Sequence, residues 1–335
     1  MKTRRLGRIG PSVSAIGLGC MGMSDLYGPA DEAESLATIR ASLDGGVTLL
    51  DTADFYGMGH NELLLREAVR SRARDRCVLS VKFGILRDPA GGWNGVDGRP
   101  VAVKNFLTYT LRRLGTDYVD IYRLARVDPA VPVEDTVGAI GELVKAGYVR
   151  HVGLSETGAE TIRRAHRVHA IADVQIEYSL LSRGIEREIL PACRELGIGI
   201  TAYGVLSRGL ISGHWSKARS VGAADFRAHS PRFAEGNLEH NLALVESLRA
   251  IAQRKHATVA QLAIAWVLSR GDDIVPLVGA RRRDRLMESL GALEVGLSAA
   301  DLDEIEKAVP ATAVAGSRYP VPMMATLDSE RGARS

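Results

Sequence analysis

Long apolar runs are missing from this chain of 335 residues. No segment reaches the about 18 apolar residues that a membrane-spanning helix needs, so no span and no membrane partner are expected. The first residues, MKTRRLGRIGPSVS, carry positive charge with no apolar run behind them, which excludes a secretory signal there. Cysteine is scarce. Cys20, Cys77 and Cys193 are widely spaced, which excludes a disulfide framework and a zinc site and fits reduced thiols in a cytoplasmic setting. No histidines have the HExxH spacing of a metal helix, and no metal is expected. Blocks of like charge are absent too. The 43 basic and 40 acidic residues leave a net charge of +3, which argues against nucleic acid as a partner. The sequence carries no signal for oligomeric state. Aromatic residues make up only 5% of the chain, so a tyrosine inside a charged motif stands out.

What is present is alternation. Short β-branched runs at Ala15–Cys20, Val47–Thr52, Cys77–Lys82, Tyr118–Leu124, Val149–Leu154, Val174–Tyr178, Ile198–Tyr203 and Ile274–Val278 read as strands. Helices are expected near Ala30–Asp44, Asn61–Arg72, Val103–Leu114, Val133–Ala146, Ala159–His169, Ile185–Leu196, Val259–Leu268 and Arg282–Leu290. Eight strands alternating with eight helices give an α/β fold, a closed (β/α)8 TIM barrel in one domain spanning residues 1–335. An N-terminal β-hairpin over Lys2–Ser14 and an extra C-terminal helix over Ser298–Val309 fall outside the repeat. The Pro- and Ala-rich tail after Pro310, residues 311–335, is expected to be loose. Two long connections, Gly84–Pro100 and roughly Ser207–Glu235, leave the C-terminal ends of strands, where barrel active sites sit. They read as substrate and cofactor walls.

Gly17-Leu-Gly19-Cys-Met-Gly22 matches a dinucleotide GxGxxG string, but no helix starts at once after it and no βαβ context follows, which excludes a Rossmann reading. The stronger constellation is Asp51-Thr-Ala-Asp-Phe-Tyr56-Gly with Lys82. Asp51 and Lys82 each close a strand and Tyr56 lies in the loop after Asp51, so all three converge on the catalytic rim. Free tyrosine titrates near about 10, too high for efficient acid catalysis at neutral pH. A lysine ammonium beside the phenol stabilises the phenolate, and an aspartate holds that lysine in place. Such a trio suits carbonyl reduction. A structural Asp–Lys pair with a packing tyrosine, or a Schiff-base lysine, are the alternatives, and the second leaves Arg281, Arg282 and Arg283 unexplained.

With GLGCMGMS at 17–24, DTADFYG at 51–57, Lys82, GLSE at 153–156, VQIEYS at 174–179, AYGVLSRG at 202–209 and VGARRRDRLMESLGAL at 278–293, the chain resembles the aldo-keto reductase superfamily over nearly its whole length. It looks most like the bacterial and fungal branch of pyridoxal-reductase-like oxidoreductases. The resemblance implies NADPH-dependent reduction of aldehydes and ketones, reversible in principle. Hydride would come from nicotinamide C4, with Tyr56 as general acid and Lys82 and Asp51 tuning it. It places Ser155 and Gln175 at the nicotinamide carboxamide and Tyr203 against the ring. Leu206, Ser207 and Gly209 fall at the pyrophosphate, Arg281 and Arg285 at the 2′-phosphate of NADP, and Glu288 and Ser289 at adenine. Gly19, Met21 and Gly279 complete the expected cofactor set. Planar guanidinium forks suit phosphate oxygens, and basic residues opening a helix call for an anion.

Three positions depart from the family. Glu156 and Ser289 stand where many relatives carry asparagine. Ala125 stands where most carry a histidine that positions the carbonyl oxygen, and a methyl group makes no hydrogen bond. Arg123 lies two residues earlier and shares the barrel-facing side. One reading extends it upward beside Tyr56, with Asp51 or Glu177 as its anion. The other is a structural Arg123–Glu177 pair. His151 lies too far down its strand to substitute for the missing imidazole, and His166, His169, His229, His240 and His256 read as surface residues. Trp93 is a substrate wall or a loop anchor. The altered fourth position also keeps open a second class of function, an NADP-binding redox-responsive subunit with little turnover.

Overall fold

Aliphatic and β-branched residues at eight places along the chain form parallel strands that close on themselves. The computed structural model describes residues 1–70, 74–216, 221–223 and 225–334. Strands β1 (Thr3–Arg5) and β2 (Ser12–Ser14) pair antiparallel as the expected hairpin. The barrel begins with β3 (Gly17–Gly19), β4 (Leu49–Ala53) and β5 (Val78–Phe83). A second hairpin, β6 (Ile85–Arg87) with β7 (Trp93–Val96), stands on the end of β5 inside the long 84–100 connection. Then β8 (Val119–Leu124), β9 (Val149–Ser155), β10 (Ile171–Glu177), β11 (Gly199–Tyr203) and β12 (Ile274–Gly279) complete the ring, and β12 pairs with β3 to close it. All five residues of β4 and all seven of β10 are buried, as expected of parallel strands covered on both faces.

Around the ring lie α1 (Glu32–Asp44), α2 (His60–Val69), α3 (Pro100–Leu114), α4 (Val133–Lys145), α5 (Ala159–Val168), α6 (Ile189–Leu196), α7 (Asn237–Arg254), α8 (Val259–Ser269) and α9 (Arg283–Leu290). Helix α10 (Ala299–Ala308) packs on α7 outside the repeat. The sequence separates α8 cleanly: Thr258 and Gln261 form a capping box, and an almost wholly apolar run packs between α7 and β12. Two corrections apply. The helix expected over Asn61–Arg72 is described to Val69, and its positions 71 and 72 lie outside the described residues. Strict alternation also fails, because α7 and α8 both stand between β11 and β12. Helix α7 buries Val245, Leu248, Ile251 and Ala252, a helical stripe that the sequence reading left unassigned.

The hairpin decides which end of the barrel is open. Leu6 and Val13 pack against Leu49, Ile121, Val275 and Leu277, an apolar layer that plugs the N-terminal end. A cavity of about 760 Å³ opens beside this floor, between Arg4, Arg8 and Arg194, at the opposite end from Lys82. The other end carries the polar side chains.

The tail reverses an expectation. Instead of hanging loose, the segment after Pro310, which contains the short helix α11 (Val321–Met324), lies across the C-terminal mouth with Tyr319, Leu327 and Asp328 buried. Ser329 N donates to the Glu156 carbonyl at 3.0 Å, Gly158 N donates to Asp328 Oδ2 at 2.9 Å, and Asn241 holds Ala315 by two hydrogen bonds. A few main-chain contacts and one buried arginine dock it, which composition does not reveal.

Candidate active site

Strand register brings the trio together. Asp51 pairs with Ser80, Ala53 with Lys82, and Lys82 with Arg123, so Asp51, Ser80, Lys82 and Arg123 share neighbouring inward places on β4, β5 and β8. Lys82 Nζ donates to Asp51 Oδ1 at 2.5 Å and to the Thr52 carbonyl at 3.1 Å. Tyr56 opens a tight turn in which Gly57 and Met58 have φ of 55° and 52°, and the turn swings the phenol back over the barrel. Asn61 steadies this turn: its Nδ2 donates to the Cys20 carbonyl at 2.9 Å, and its Oδ1 accepts from Thr52 Oγ1 at 2.7 Å. Lys82 Nζ stands 5.1 Å from the Tyr56 ring centroid.

The charges differ from the simple expectation of a lowered phenol. Burial pushes the Tyr56 phenol well above its ordinary value, Asp51 adds to the rise, and Arg126 opposes it. Burial pulls the Lys82 ammonium below its ordinary value. Asp51 opposes that fall, and Arg123 reinforces it. The phenol therefore keeps its proton through neutral pH, which is the form a proton donor requires. Arg126 was missed in the sequence. It follows Ala125 directly, donates to the Ala125 carbonyl at 2.6 Å, and is partly buried at the mouth.

Arg123 takes neither expected course. It is fully buried and does not rise toward Tyr56 or reach Glu177. Its Nη1 lies 3.1 Å from Asp173 Oδ2 on β10, and its Nη2 donates to Ser80 Oγ at 2.9 Å. Ser80 Oγ in turn donates to Asp51 Oδ2 at 2.8 Å. The physical reason is Gly153. It pairs with both Arg123 and Asp173 on the strand between them and presents no side chain there, so the guanidinium crosses it. Glu177 is held instead by Arg208 and Arg232 at 3.3 Å, Arg318 at 3.6 Å, and the Ser182 hydroxyl at 2.6 Å.

Where histidine was expected, Ala125 joins Ala53, Phe55, Tyr56 and Ile85 in an apolar cluster, with Met21 and Val96 packed on it. Trp93 is 45% exposed on the β7 hairpin, yet its ring stands 5.8 Å from Phe55, so it both anchors the hairpin and walls the mouth.

The expected cofactor residues line one side of that mouth. Ser155 and Gln175 are buried at the ends of β9 and β10, and Gln175 Nε2 donates to Asp51 Oδ2 at 2.7 Å. Gln175 thus ties the cofactor side to the trio. Tyr203 ends β11; its hydroxyl donates to Glu156 Oε1 at 2.6 Å and meets the Tyr319 hydroxyl at 2.9 Å. Glu156, with φ of 52°, is fully buried and takes both guanidinium nitrogens of Arg318, at 2.9 and 2.6 Å. Beyond Leu206, the residues Ser207, Arg208 and Gly209 have φ of 46°, 57° and 93°, a left-handed run. Gly19 ends β3, Met21 opens the turn after it, and Gly279 has open space where a Cβ would stand.

At the far end, Arg281 Nη1 donates to the carbonyls of Tyr27, Gly28 and Pro29, pinning the loop after β3. Arg282 pairs with Asp284 and Arg283 with Glu34. Arg285 stands half-exposed on the first turn of α9 beside His214 and Glu288, and Ser289 Oγ donates to the Arg285 carbonyl. Arg208 Nη1 is buried with no hydrogen-bond partner among the described residues. An unmet cationic donor in a left-handed loop, open space at Gly279 and basic side chains beyond it fit an elongated anionic dinucleotide.

The Aldo/keto reductase family profile matches residues 15–310. A Glycine max protein described as probable aldo-keto reductase 1 is 43% identical over 316 residues, which is 94% of this chain and 91% of that protein. Among solved structures, a glycerol dehydrogenase from Gluconobacter oxydans is similar with a TM-score of 0.83 at 26% identity, covering 92% of this chain and 96% of its own. The holo form of an aldo-keto reductase from Bacillus halodurans gives 0.77 at 28% identity, covering 93% and 97%.

Proposed function

Because the chain belongs to the aldo/keto reductase family, and is thereby an oxidoreductase that uses a nicotinamide cofactor on carbonyl groups, we propose that it reduces aldehydes and ketones with NADPH, Tyr56 donating the proton. The observation that carries this reading is the buried Lys82 ammonium, gripped by Asp51 at 2.5 Å and set 5.1 Å from the Tyr56 ring. When bound, the reduced nicotinamide supplies a hydride for the carbonyl carbon. Tyr56 gives its proton to the carbonyl oxygen, and the phenolate left behind is stabilised by Lys82 and by Arg126 across the mouth. Asp51 keeps Lys82 charged and oriented against the cost of burial. Ser155 and Gln175 orient the carboxamide, and Tyr203, its hydroxyl fixed by Glu156, presents a ring face to the nicotinamide. Arg281 and Arg285 supply guanidinium donors for a 2′-phosphate and so a preference for NADPH over NADH. Phe55, Ile85 and Trp93 exclude water from the reacting carbonyl.

Tyr56→Phe is the test. With a panel of reactive aldehydes, kcat/KM is expected to fall by about 10³ while the Kd for NADPH, read by quenching of protein fluorescence, stays put. Unchanged turnover in Tyr56→Phe overturns the assignment. The methyl group of Ala125 supports a second reading, a subunit that binds NADP and hardly turns over. Tight NADPH binding with no loss of reduced-nicotinamide absorbance on any aldehyde selects it.

A further inference from the structure

We propose that Arg123 is a positioning residue: paired with Asp173 across Gly153, it acts through the Ser80 hydroxyl on Asp51 and so sets the place and charge of Lys82 beneath Tyr56. The proposal rests on the reading of Tyr56 as proton donor and extends the machinery one layer deeper into the barrel.

Four observations lead to it. The interior holds an alternating series of charges, Lys82, Asp51, Arg123 and Asp173, bridged by one hydroxyl, Ser80. Every member sits on a strand, so the main-chain ladder fixes the spacing. Arg123 donates to Ser80 Oγ, which leaves that oxygen's own hydrogen to point at Asp51. Arg123 thus selects the hydroxyl rotamer that supports the carboxylate. Asp51 then receives three donors, from Lys82, Ser80 and Gln175, and its carboxylate cannot turn away from the lysine.

The pair is also poorly satisfied as mere packing. Arg123 Nε and Nη1 and Asp173 Oδ1 make no aligned hydrogen bond among the described residues, although Thr201 Oγ1 donates to Asp173 Oδ2. Apolar replacement of a buried ion pair is often neutral or stabilising, so a buried pair with unmet donors is weak evidence for a purely stabilising role. The position of Arg123 supplies another role. Its charge faces Lys82 from the next strand, bears directly on how tightly the ammonium holds its proton, and adds positive potential under the phenol. Ala125, just past the end of β8, brings no polar group, so the charge that the strand itself lends the site comes from below.

Other groups bear on the titration and stay constant in the test. Cys20 and Asp51 face Lys82; Tyr27, Arg126 and Tyr319 face Tyr56; Asp51, His151 and Cys193 lie around Asp173. The experiment compares the pH profile of kcat/KM, at saturating NADPH with one reactive aldehyde, for Arg123→Met, Asp173→Asn and Arg123→Met/Asp173→Asn. Losing the cation is expected to move the alkaline limb up by about one pH unit and to lower kcat about tenfold. Losing the anion should move the limb down. The double variant, which leaves no lone buried charge and should fold even where Arg123→Met does not, should return the limb to the wild-type position. The Kd for NADPH should be unchanged throughout. If Asp173→Asn, and Arg123→Met where it folds, keep the wild-type limb and show only lowered thermal midpoints, the pair is structural and the proposal is overturned. That outcome is separate from the Tyr56→Phe result, because a silent Tyr56→Phe defeats the proton-donor reading whatever these profiles show.

Discussion

Two buried charge networks stand one above the other in this barrel, and they are built from different material. The lower one, Lys82–Asp51–Ser80–Arg123–Asp173, lies on β4, β5, β8 and β10. The upper one gathers Glu156 and Glu177, at the ends of β9 and β10, with arginines from elsewhere: Arg208 and Arg232 from the long connection and Arg318 from the C-terminal strap. Register holds the first, and it cannot open unless the barrel does. The second depends on segments that return from far along the chain; Arg318 lies 162 positions from Glu156. Contacts made by loops and termini are drawn from the low end of the local stability range. The lower layer is therefore held by the barrel itself, and the upper layer by contacts that can loosen while the barrel stays intact.

The comparison can be broken from below first. Gly153→Ala places a Cβ 2.8 Å from Asp173 Oδ1 and 3.2 Å from Arg123 Nε, so it should wedge the lower pair apart. A loss of about 3 kcal/mol is expected, a fall in Tm of about 4 °C by calorimetry for a chain of this length. A midpoint within a degree of wild type would mean that the crossing at Gly153 does not constrain the pair.

Arg318→Met attacks the upper network and should act locally. It leaves the Glu156 carboxylate without its main partner, so cleavage in the 310–330 segment by a dilute protease should quicken about tenfold at pH 7 while the far-ultraviolet dichroism of the barrel is kept. Burial alone would raise the Glu156 carboxyl. The Arg318 guanidinium, with Arg126 and the Ser329 hydroxyl, outweighs burial and holds it below the usual range. A folded value below the unfolded one stabilises at pH above the unfolded value of about 4.3, and the gain is lost as pH falls through the folded value. Wild-type strap protection should therefore persist at about pH 5 and decline only below about pH 4. A decline beginning near neutrality would contradict the assigned pair.

The smallest effect belongs to the surface. Arg254 and Glu304 pair with both side chains about half-exposed. Arg254→Ala should leave Tm within about one degree, because exposed pairs are screened and entropically costly. A larger change would undo the contrast between buried and exposed networks.

Much of this was legible. Strand ends at Asp51 and Lys82 follow from short β-branched runs, and a loop tyrosine after the first of them has only the barrel mouth to occupy. The sequence Asp173-Val-Gln175-Ile-Glu177 alternates polar and apolar residues in a buried strand, a pattern that marks an inward polar column and could have nominated Asp173 as the anion for Arg123. Helix α7 was equally readable from its stripe. The docking of Arg318 and Tyr319 was not, because nothing in the pattern of a Pro- and Ala-rich tail marks one of its arginines as buried.

By itself the sequence determined the eight-stranded barrel and the end of it to which Asp51, Tyr56 and Lys82 belong, since both depend on period-two patterning within a few residues. Only the tertiary structure decided that Arg123 faces Asp173 rather than Glu177, and that the tail docks across the mouth. Those outcomes turn on the reach of one side chain across a missing one at Gly153 and on contacts between segments 162 positions apart, distances that no local pattern encodes.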